Sequence, residues 1–91
     1  MKLIKDEYLT KLFDIYKNML SDTQRVFMVD FIDNDLTISE IAENNQISRQ
    51  AVNDAIKKAV AKMKSFEEML GVLGRISALE TEIARLKKGK V

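Results

Sequence analysis

Apolar side chains recur three or four positions apart along much of the chain, which is the spacing of one face of an α-helix. The pattern is clearest in residues 37–64. Ile38, Ile41 and Ala42 share one face of a first short helix. A second helix has a longer apolar face, formed by Val52, Ala55, Ile56, Ala59 and Met63. The pattern therefore predicts two amphipathic helices, separated by the polar residues 44–46.

The residues around these two helices have the order expected of a helix-turn-helix. Thr37 and Glu40 form a predicted capping box at the start of the first helix, and Ser48 caps the second. Ala42 is small enough for the second helix to approach closely, and Ile47 is predicted to be an apolar plug in the turn. Because two short amphipathic helices occur in many helical domains, the prediction depends on this combination rather than on either helix alone.

Two further helices are predicted before the motif. Residues 3–20 carry two adjacent apolar stripes, formed by Ile4, Tyr8, Leu12, Ile15 and Met19 and by Leu9, Phe13, Tyr16 and Leu20. An arc this wide either packs against two neighbours, one of them in another chain, or wraps a small core.

Ser21 and Gln24 form a capping box for a helix that ends near residue 32. Its core candidates are Val26, Phe27, Val29, Phe31 and Ile32. Residues 33–35 are a predicted solvated turn, because they lack the Gly and Glu of a calcium loop.

The C-terminal part has a heptad pattern of its own. The second helix of the motif is predicted to continue to Leu70, where Gly71 and Gly74 then mark a kink, a break or a close helix contact. Beyond them lies a seam of apolar residues spaced alternately three and four apart, formed by Met69, Val72, Ile76, Leu79, Ile83 and Leu86. The seam either pairs with its copy in a second chain or folds back on its own domain. We expect a homodimer with these six residues in the interface. The predicted division is a helix-turn-helix domain at residues 1–70 and a C-terminal helix at residues 71–91.

Composition narrows the class of protein. Three Gly, no Pro and an abundance of helix-forming residues predict an all-α helical bundle. The chain contains neither Cys nor His, which excludes disulfides, thiolate or imidazole metal ligands, and His-based acid–base catalysis. No nucleophile–base pair or cofactor-binding loop is visible, so we expect no enzyme activity and no cofactor. The absence of a signal-peptide pattern and of a long apolar run predicts a soluble cytoplasmic protein without a membrane contact.

Charge is segregated although the net charge is only +1. Residues 30–45 contain five acidic residues and no basic one, whereas residues 49–64 contain five basic residues and one acid, Asp54. The basic stretch coincides with the predicted recognition helix, which is where a nucleic-acid-binding protein concentrates positive charge. The predicted nucleic-acid-binding residues are Ser48, Arg49, Gln50, Asn53, Lys57, Lys58 and Lys62. Arg49, Gln50 and Asn53 have side chains that read base edges, and the hydroxyl and lysines of the set bind phosphates.

Three stretches resemble known families: residues 20–25, 38–42 and 47–57. They are similar to region 4 of sigma factors and, more closely, to the YlxM/p13-like (UPF0122) family of small helix-turn-helix proteins from low-GC Gram-positive bacteria. The Ser-Arg-Gln-Ala-Val run that begins at Ser48, followed by Asp54, is the most specific element. The sequence departs from the usual pattern at Asn45, where an apolar or aromatic residue is common, and at Asn53, where this family often has an aromatic one.

The resemblance implies a cytosolic protein whose gene commonly neighbours those of the signal recognition particle (SRP). It also implies that Arg49, Gln50, Asn53 and Lys57 occupy the positions at which sigma-like helices meet the major groove. Two functions follow. The first is a nucleic-acid-binding regulator, with DNA as the expected partner and SRP RNA as an alternative target. The second is a non-enzymatic accessory factor that binds SRP proteins through its acidic turn and its heptads.

Overall fold

Residues 5–89 are described by a computed structural model, and within them the chain forms five α-helices and no strand. The helices are α1 (Glu7–Tyr16), α2 (Asp22–Met28), α3 (Ile38–Asn45), α4 (Arg49–Leu70) and α5 (Val72–Lys88). A 3₁₀ turn, Lys17–Met19, follows α1, and a π turn, Val29–Asp33, extends α2. The predicted all-α class is confirmed. No helix in this part of the chain has both the length and the apolarity needed to cross a bilayer.

Local capping sets where most helices begin. Both predicted capping boxes are present: Ser21 and Gln24 exchange hydrogen bonds at the start of α2, and Thr37 and Glu40 do so at the start of α3. The Oδ1 atom of Asp6 accepts the Leu9 N–H at 2.9 Å, so α1 begins later than the predicted residue 3. The first four residues, including the predicted stripe residue Ile4, lie outside the described residues.

The core is built around α4, which packs against α1, α2 and α3. Val52, Ile56, Ala59 and Met63 of α4 are completely buried. The other helices and their connections close around them with Leu9, Leu12, Phe13, Tyr16, Leu20, Phe27, Met28, Phe31, Ile41 and Ala42. Ala55, also predicted on this face, is only partly buried. The second helix of the motif is thus also the central helix of the domain.

One predicted core position of the second helix is wrong, and one core residue was not predicted. Val26 is 52% exposed, whereas Met28, which was not predicted, is fully buried. Phe27, Met28 and Phe31 are spaced three and four apart and share one side of the helix, which places Val26 on the other. Val29 and Ile32 lie at the edge of this side and are partly buried.

The wide apolar arc of α1 packs against other helices of the same chain. Its buried residues face α4, and the helix also contacts the start of α5. Tyr8 and Met19, predicted in the same arc, are 46% and 44% exposed and lie outside the core. Within the chain, α1 thus packs against two helices, α4 and α5.

The chain breaks at Gly71, whose φ of 61° lies in the left-handed region that favours glycine. Met69 therefore belongs to the end of α4, and the predicted heptad seam is not one continuous helix from that residue. Only the first turn of α5 rests on the domain: Leu73, which was not predicted in the core, is buried, and Val72 is partly buried. From Gly74 to Lys88 every described residue is exposed, and the molecule is extended to 57 × 26 × 23 Å. Most of α5 therefore projects from the domain instead of folding back on it.

Candidate nucleic-acid interface

The turn between α3 and α4 sets the position of the predicted recognition helix. Gln46 adopts a left-handed conformation with φ of 55°, and the Ile47 N–H donates to the Ala42 carbonyl at 3.1 Å. This closes α3 as a Schellman-type end. Asn45 stays within α3 and donates its side-chain N–H to the Ile41 carbonyl at 2.8 Å. The unusual Asn45 is thus accommodated by a hydrogen bond from its side chain to the backbone one turn earlier in the same helix.

The predicted apolar plug in the turn is wrong. Ile47 is 40% exposed, and it lies beside Ala42 and Ser48 at the wall of a shallow surface groove. The turn is held instead by the backbone hydrogen bonds at its ends. Ile41 and Val52, on opposite sides of the turn, are completely buried in the common core.

Four of the predicted binding residues line one shallow groove beside the start of α3. They are Arg49, Gln50, Asn53 and Lys57, together with Ile38 and Asp54. Arg49 and Gln50 are exposed, and Asn53 and Lys57 are half-exposed. The spacing of four residues keeps three of the four side chains on one side of α4. The adjacent side of the same helix, which includes Val52 and Ile56, is completely buried, so the core fixes the orientation of these polar groups.

Ser48 has a structural role at the head of the groove. Its Oγ atom accepts the Ala51 N–H at 3.0 Å and so caps α4. The hydroxyl proton remains available to an anion, next to the exposed N-terminus of a 22-residue helix. Backbone N–H groups at such a terminus carry partial positive charge, which favours a phosphate.

The structure separates two lysines from the groove. Successive residues of an α-helix are rotated by about 100°, so Lys58 lies a quarter turn or more beyond Lys57. Lys62 is one turn further on the outer side with Lys58, and both are exposed. Lys64 lies two turns after Lys57 on the groove side and is exposed, although it was not predicted as a site residue. Its spacing of seven from Lys57 is the signal that would have found it.

The basic side chains of α4 form no salt bridge in the described part of the chain. Within residues 5–89, the salt bridges join Lys5 to Asp35, Lys11 to Glu7, Arg25 to Asp22 and Arg85 to Glu82, and none involves α4. The one acid in the groove is Asp54, which is exposed. Its carboxylate opposes phosphate binding nearby and can accept a hydrogen bond from an amino group, such as cytosine N4.

The acidic turn before α3 is tied to the N-terminal segment. The Lys5 ammonium bonds the Asp35 carboxylate and thereby holds the pKa of Asp35 below its usual value. The same ammonium lies 4.9 Å from the centre of the Phe31 ring. The side chains of Asp33, Glu40 and Glu43 are also exposed, and Glu43 lines a surface groove together with Arg49 of α4.

The sequence matches the family described as "putative helix-turn-helix protein, YlxM / p13 like" over residues 3–90. The chain belongs to the UPF0122 family. A UPF0122 protein of Fusobacterium nucleatum is 38% identical, covering 94% of this chain and 85% of its own length. One from Malacoplasma penetrans is 35% identical, covering 99% of this chain and its whole length. One from a Thermoanaerobacter species is 37% identical, covering 90% of this chain and 70% of its own length.

The family match confirms the resemblance seen in the sequence, and it extends past the helix-turn-helix to include α5. In this UPF0122 protein the motif consists of α3, the turn at Gln46 and the first half of α4.

Proposed function

We propose that this UPF0122 protein is a nucleic-acid-binding regulatory protein whose contact surface is the groove of Arg49, Gln50, Asn53 and Lys57. One observation carries the proposal. These four side chains line one groove at the start of a helix whose adjacent side is buried in the core. Recognition helices in helix-turn-helix proteins present their N-terminal residues to base edges in the same way.

Each side chain has a chemical role in this proposal. Arg49 can donate two hydrogen bonds to guanine, and the amides of Gln50 and Asn53 can pair with adenine. Lys57 and Lys64 bind phosphates along the groove side of α4, while Lys58 and Lys62 bind phosphates on its outer side. Ser48 donates its hydroxyl proton to a phosphate at the helix N-terminus. Phosphate contacts position the protein, and the base contacts make it specific.

Duplex DNA is the nucleic acid that suits this geometry. The major groove of B-form DNA admits an α-helix, whereas the major groove of A-form RNA is too deep and narrow for side chains to read. A helix that presents base-reading groups at its N-terminal end therefore favours DNA over the paired regions of SRP RNA. A regulatory role connected with the SRP pathway is the further proposal that the family resemblance supports.

The test is a selection of binding sites from random duplex DNA by the full chain, with SRP RNA as a competitor. The proposal requires one DNA motif to be enriched, and enrichment to be lost in Arg49→Ala. Lys11→Ala is the matched control, because it removes one exposed basic group of α1 outside the groove. If the selection enriched no motif and SRP RNA displaced all the bound DNA, the proposal that DNA is the target would be contradicted.

A protein-interaction role is the second candidate function. The observations that favour it are the exposed acidic side chains around α3 and the apolar side chains exposed on α5. In this role the protein would be an accessory factor of the SRP machinery and would bind SRP proteins. To distinguish the two candidate functions, the protein is mixed with assembled SRP and, separately, with SRP RNA alone. Each mixture is then analysed by size-exclusion chromatography. Co-elution only when SRP proteins are present would favour this candidate.

We also infer that the protein acts as a homodimer. The apolar residues proposed for the interface are Met69, Val72, Ile76, Leu79, Ile83 and Leu86. The last four are 39–63% exposed on the projecting helix. Contiguous exposed apolar residues usually mark an interface, and two-fold pairing is the commonest way to cover them.

A further inference from the structure

The projecting part of α5 carries one continuous apolar stripe. Ile76, Leu79, Ile83 and Leu86 are spaced alternately three and four apart, so they lie on the same side of the helix. The side that contacts α1 is different, since it includes Leu73 and Ser77, which line a groove with Tyr8. The stripe therefore points away from the domain, where nothing in the same chain covers it among residues 5–89.

The identity of the stripe residues favours a particular partner. In heptad notation Ile76 and Ile83 occupy the a positions, and Leu79 and Leu86 occupy the d positions. Among parallel coiled coils, a β-branched residue at a with leucine at d favours a pair of helices over a larger bundle. The occupant that the pattern suits is therefore another helix with the same pattern.

The charged residues beside the stripe can form pairs of opposite charge with the same set of residues in a second copy of the helix. Arg75 and Glu82 fall at g positions, and Glu80 and Lys87 fall at the e positions five residues later. In a parallel pair each g residue faces the e residue of the partner one heptad on. Arg75 then meets the partner's Glu80, and Glu82 meets the partner's Lys87, so that both kinds of contact join opposite charges. The four side chains are exposed, and Glu82 also bonds Arg85 of its own helix.

The base of α5 is held in a fixed direction. The Glu67 carboxylate of α4 accepts the Tyr16 hydroxyl at 2.7 Å, the Leu73 N–H at 2.9 Å and the Gly74 N–H at 3.0 Å. It thereby caps α5, whose N-cap residue Gly71 has no side chain to do so. A pair of α5 helices would consequently fix the separation and orientation of the two domains they carry.

We propose that α5 pairs with α5 of a second copy as a parallel, in-register coiled coil with Leu79 and Leu86 facing their counterparts. The proposal rests on the homodimer inferred above and gives it an orientation and a register. Parallel pairing places both domains at the same end of the coiled coil. Two recognition helices then extend from one rigid base, which suits a DNA site with two-fold symmetry.

A cysteine cross-linking experiment tests the orientation in the full chain, which has no native Cys. In a parallel pair, Leu86→Cys places two thiols across the seam within disulfide range. In an antiparallel pair, position 86 faces position 76, and the two copies of position 86 are separated by about 15 Å, because a helix rises 1.5 Å per residue. We expect Leu86→Cys to form a linked dimer under mild oxidation, and a mixture of Ile76→Cys with Leu86→Cys to form no mixed dimer.

Charge reversal tests the register. Glu80→Arg places like charges opposite Arg75 at two symmetric positions, and we expect the dimer dissociation constant to rise on the order of tenfold. The double variant Arg75→Glu/Glu80→Arg is the matched control, because it has the composition of the natural chain and restores both pairs. We expect sedimentation equilibrium to show dimerisation recovered in the double variant, with helicity by circular dichroism unchanged in both.

Three outcomes would overturn the proposal: a mixed disulfide between positions 76 and 86, no recovery in the double variant, or a full-length chain that is monomeric at tens of micromolar. Binding of the same variants to a single DNA half-site is measured as well. It shows whether the coiled coil or the proposed nucleic-acid binding has failed. Monomers that still bind a half-site would refute only the coiled coil. Cross-linked dimers that bind no nucleic acid would refute only the proposed function.

Discussion

Arg49 is the first residue of α4, with an exposed guanidinium beside a helix N-terminus. Its charge and the helix dipole attract the same phosphates, while its planar donors suit guanine. Arg49→Ala should therefore weaken binding to the selected DNA site by about 1–3 kcal/mol and relax the base preference. Lys58→Ala should weaken binding to all sequences about equally, since Lys58 lies on the outer side of α4. Fluorescence anisotropy with specific and scrambled duplexes measures both effects. If both variants bind as the natural chain does, the contact surface lies elsewhere.

The contact between Glu67 and Tyr16 makes the stability of the fold depend on pH. The hydrogen bond from the Tyr16 hydroxyl, helped by the N–H groups of Leu73 and Gly74, lowers the pKa of Glu67 below its usual value of about 4.5. Burial, and then the same hydrogen bond to Glu67, raise the pKa of Tyr16 above 10.0. The ionised Glu67 therefore stabilises the fold above pH 4.5, and this contribution is lost as the pH falls through the lowered pKa.

A pH series of thermal melts checks this contact. Glu67→Gln should lower the melting temperature at pH 7 and make its decline between pH 5 and pH 3 shallower, because one ionisation that favours the folded state is gone. Glu68→Gln is the matched control, since Glu68 is the neighbouring carboxylate of the same helix and makes none of these hydrogen bonds. An identical acid decline in Glu67→Gln and in the natural chain would show that Glu67 ionisation does not stabilise the fold.

At the scale of elements, α4 both completes the core and presents the groove. Val52 is completely buried one turn into the helix. Val52→Asp buries a carboxylate without a partner, which costs several kcal/mol and is comparable with the whole stability of a small domain. We expect loss of the cooperative thermal transition followed by circular dichroism.

Ala51→Asp is the control for that substitution. Ala51 is the preceding residue and is exposed in the first turn of α4, where an acidic side chain favours the helix. Its melting temperature should match or exceed that of the natural chain. A Val52→Asp protein that folds as stably as Ala51→Asp would mean that position 52 of α4 does not face the core.

For the whole molecule, the separation of charge predicts a strong dependence of binding on salt. The binding constant should fall with salt with a slope of about −0.9 for each phosphate contact on duplex DNA. If Lys62 makes one such contact, Lys62→Ala should reduce the slope by roughly 0.9 while leaving the selected motif unchanged. Titrations between low and physiological salt measure this slope. A binding constant that does not change with salt would remove the electrostatic basis of the proposal.

Much of the local structure was predictable because its causes lie within a few residues of one another. The capping boxes at Ser21 and Thr37 join side chains to backbone groups three positions away, and they formed as expected. The grouping of Arg49, Asn53 and Lys57 follows from helical periodicity alone. The all-α class likewise follows from composition, and the properties of glycine predicted a kink, a break or a close helix contact at Gly71 or Gly74, of which a break at Gly71 is present. In each case the determining interaction is local, so one stretch of sequence contains it.

The remaining features depend on which surfaces meet in the folded chain. Periodicity could not distinguish buried Met28 from exposed Val26, because only the position of α4 decides which side of α2 is covered. Ile47 is exposed because the backbone closes the turn without it. Glu67 and Tyr16 are 51 residues apart, and their hydrogen bond sets the direction of α5. The heptad pattern indicated a pairing surface, but only packing at Leu73 and the contacts of Glu67 decided that this surface projects away from the domain. Such contacts join distant parts of the chain, so they are determined by tertiary packing and not by any local stretch of sequence.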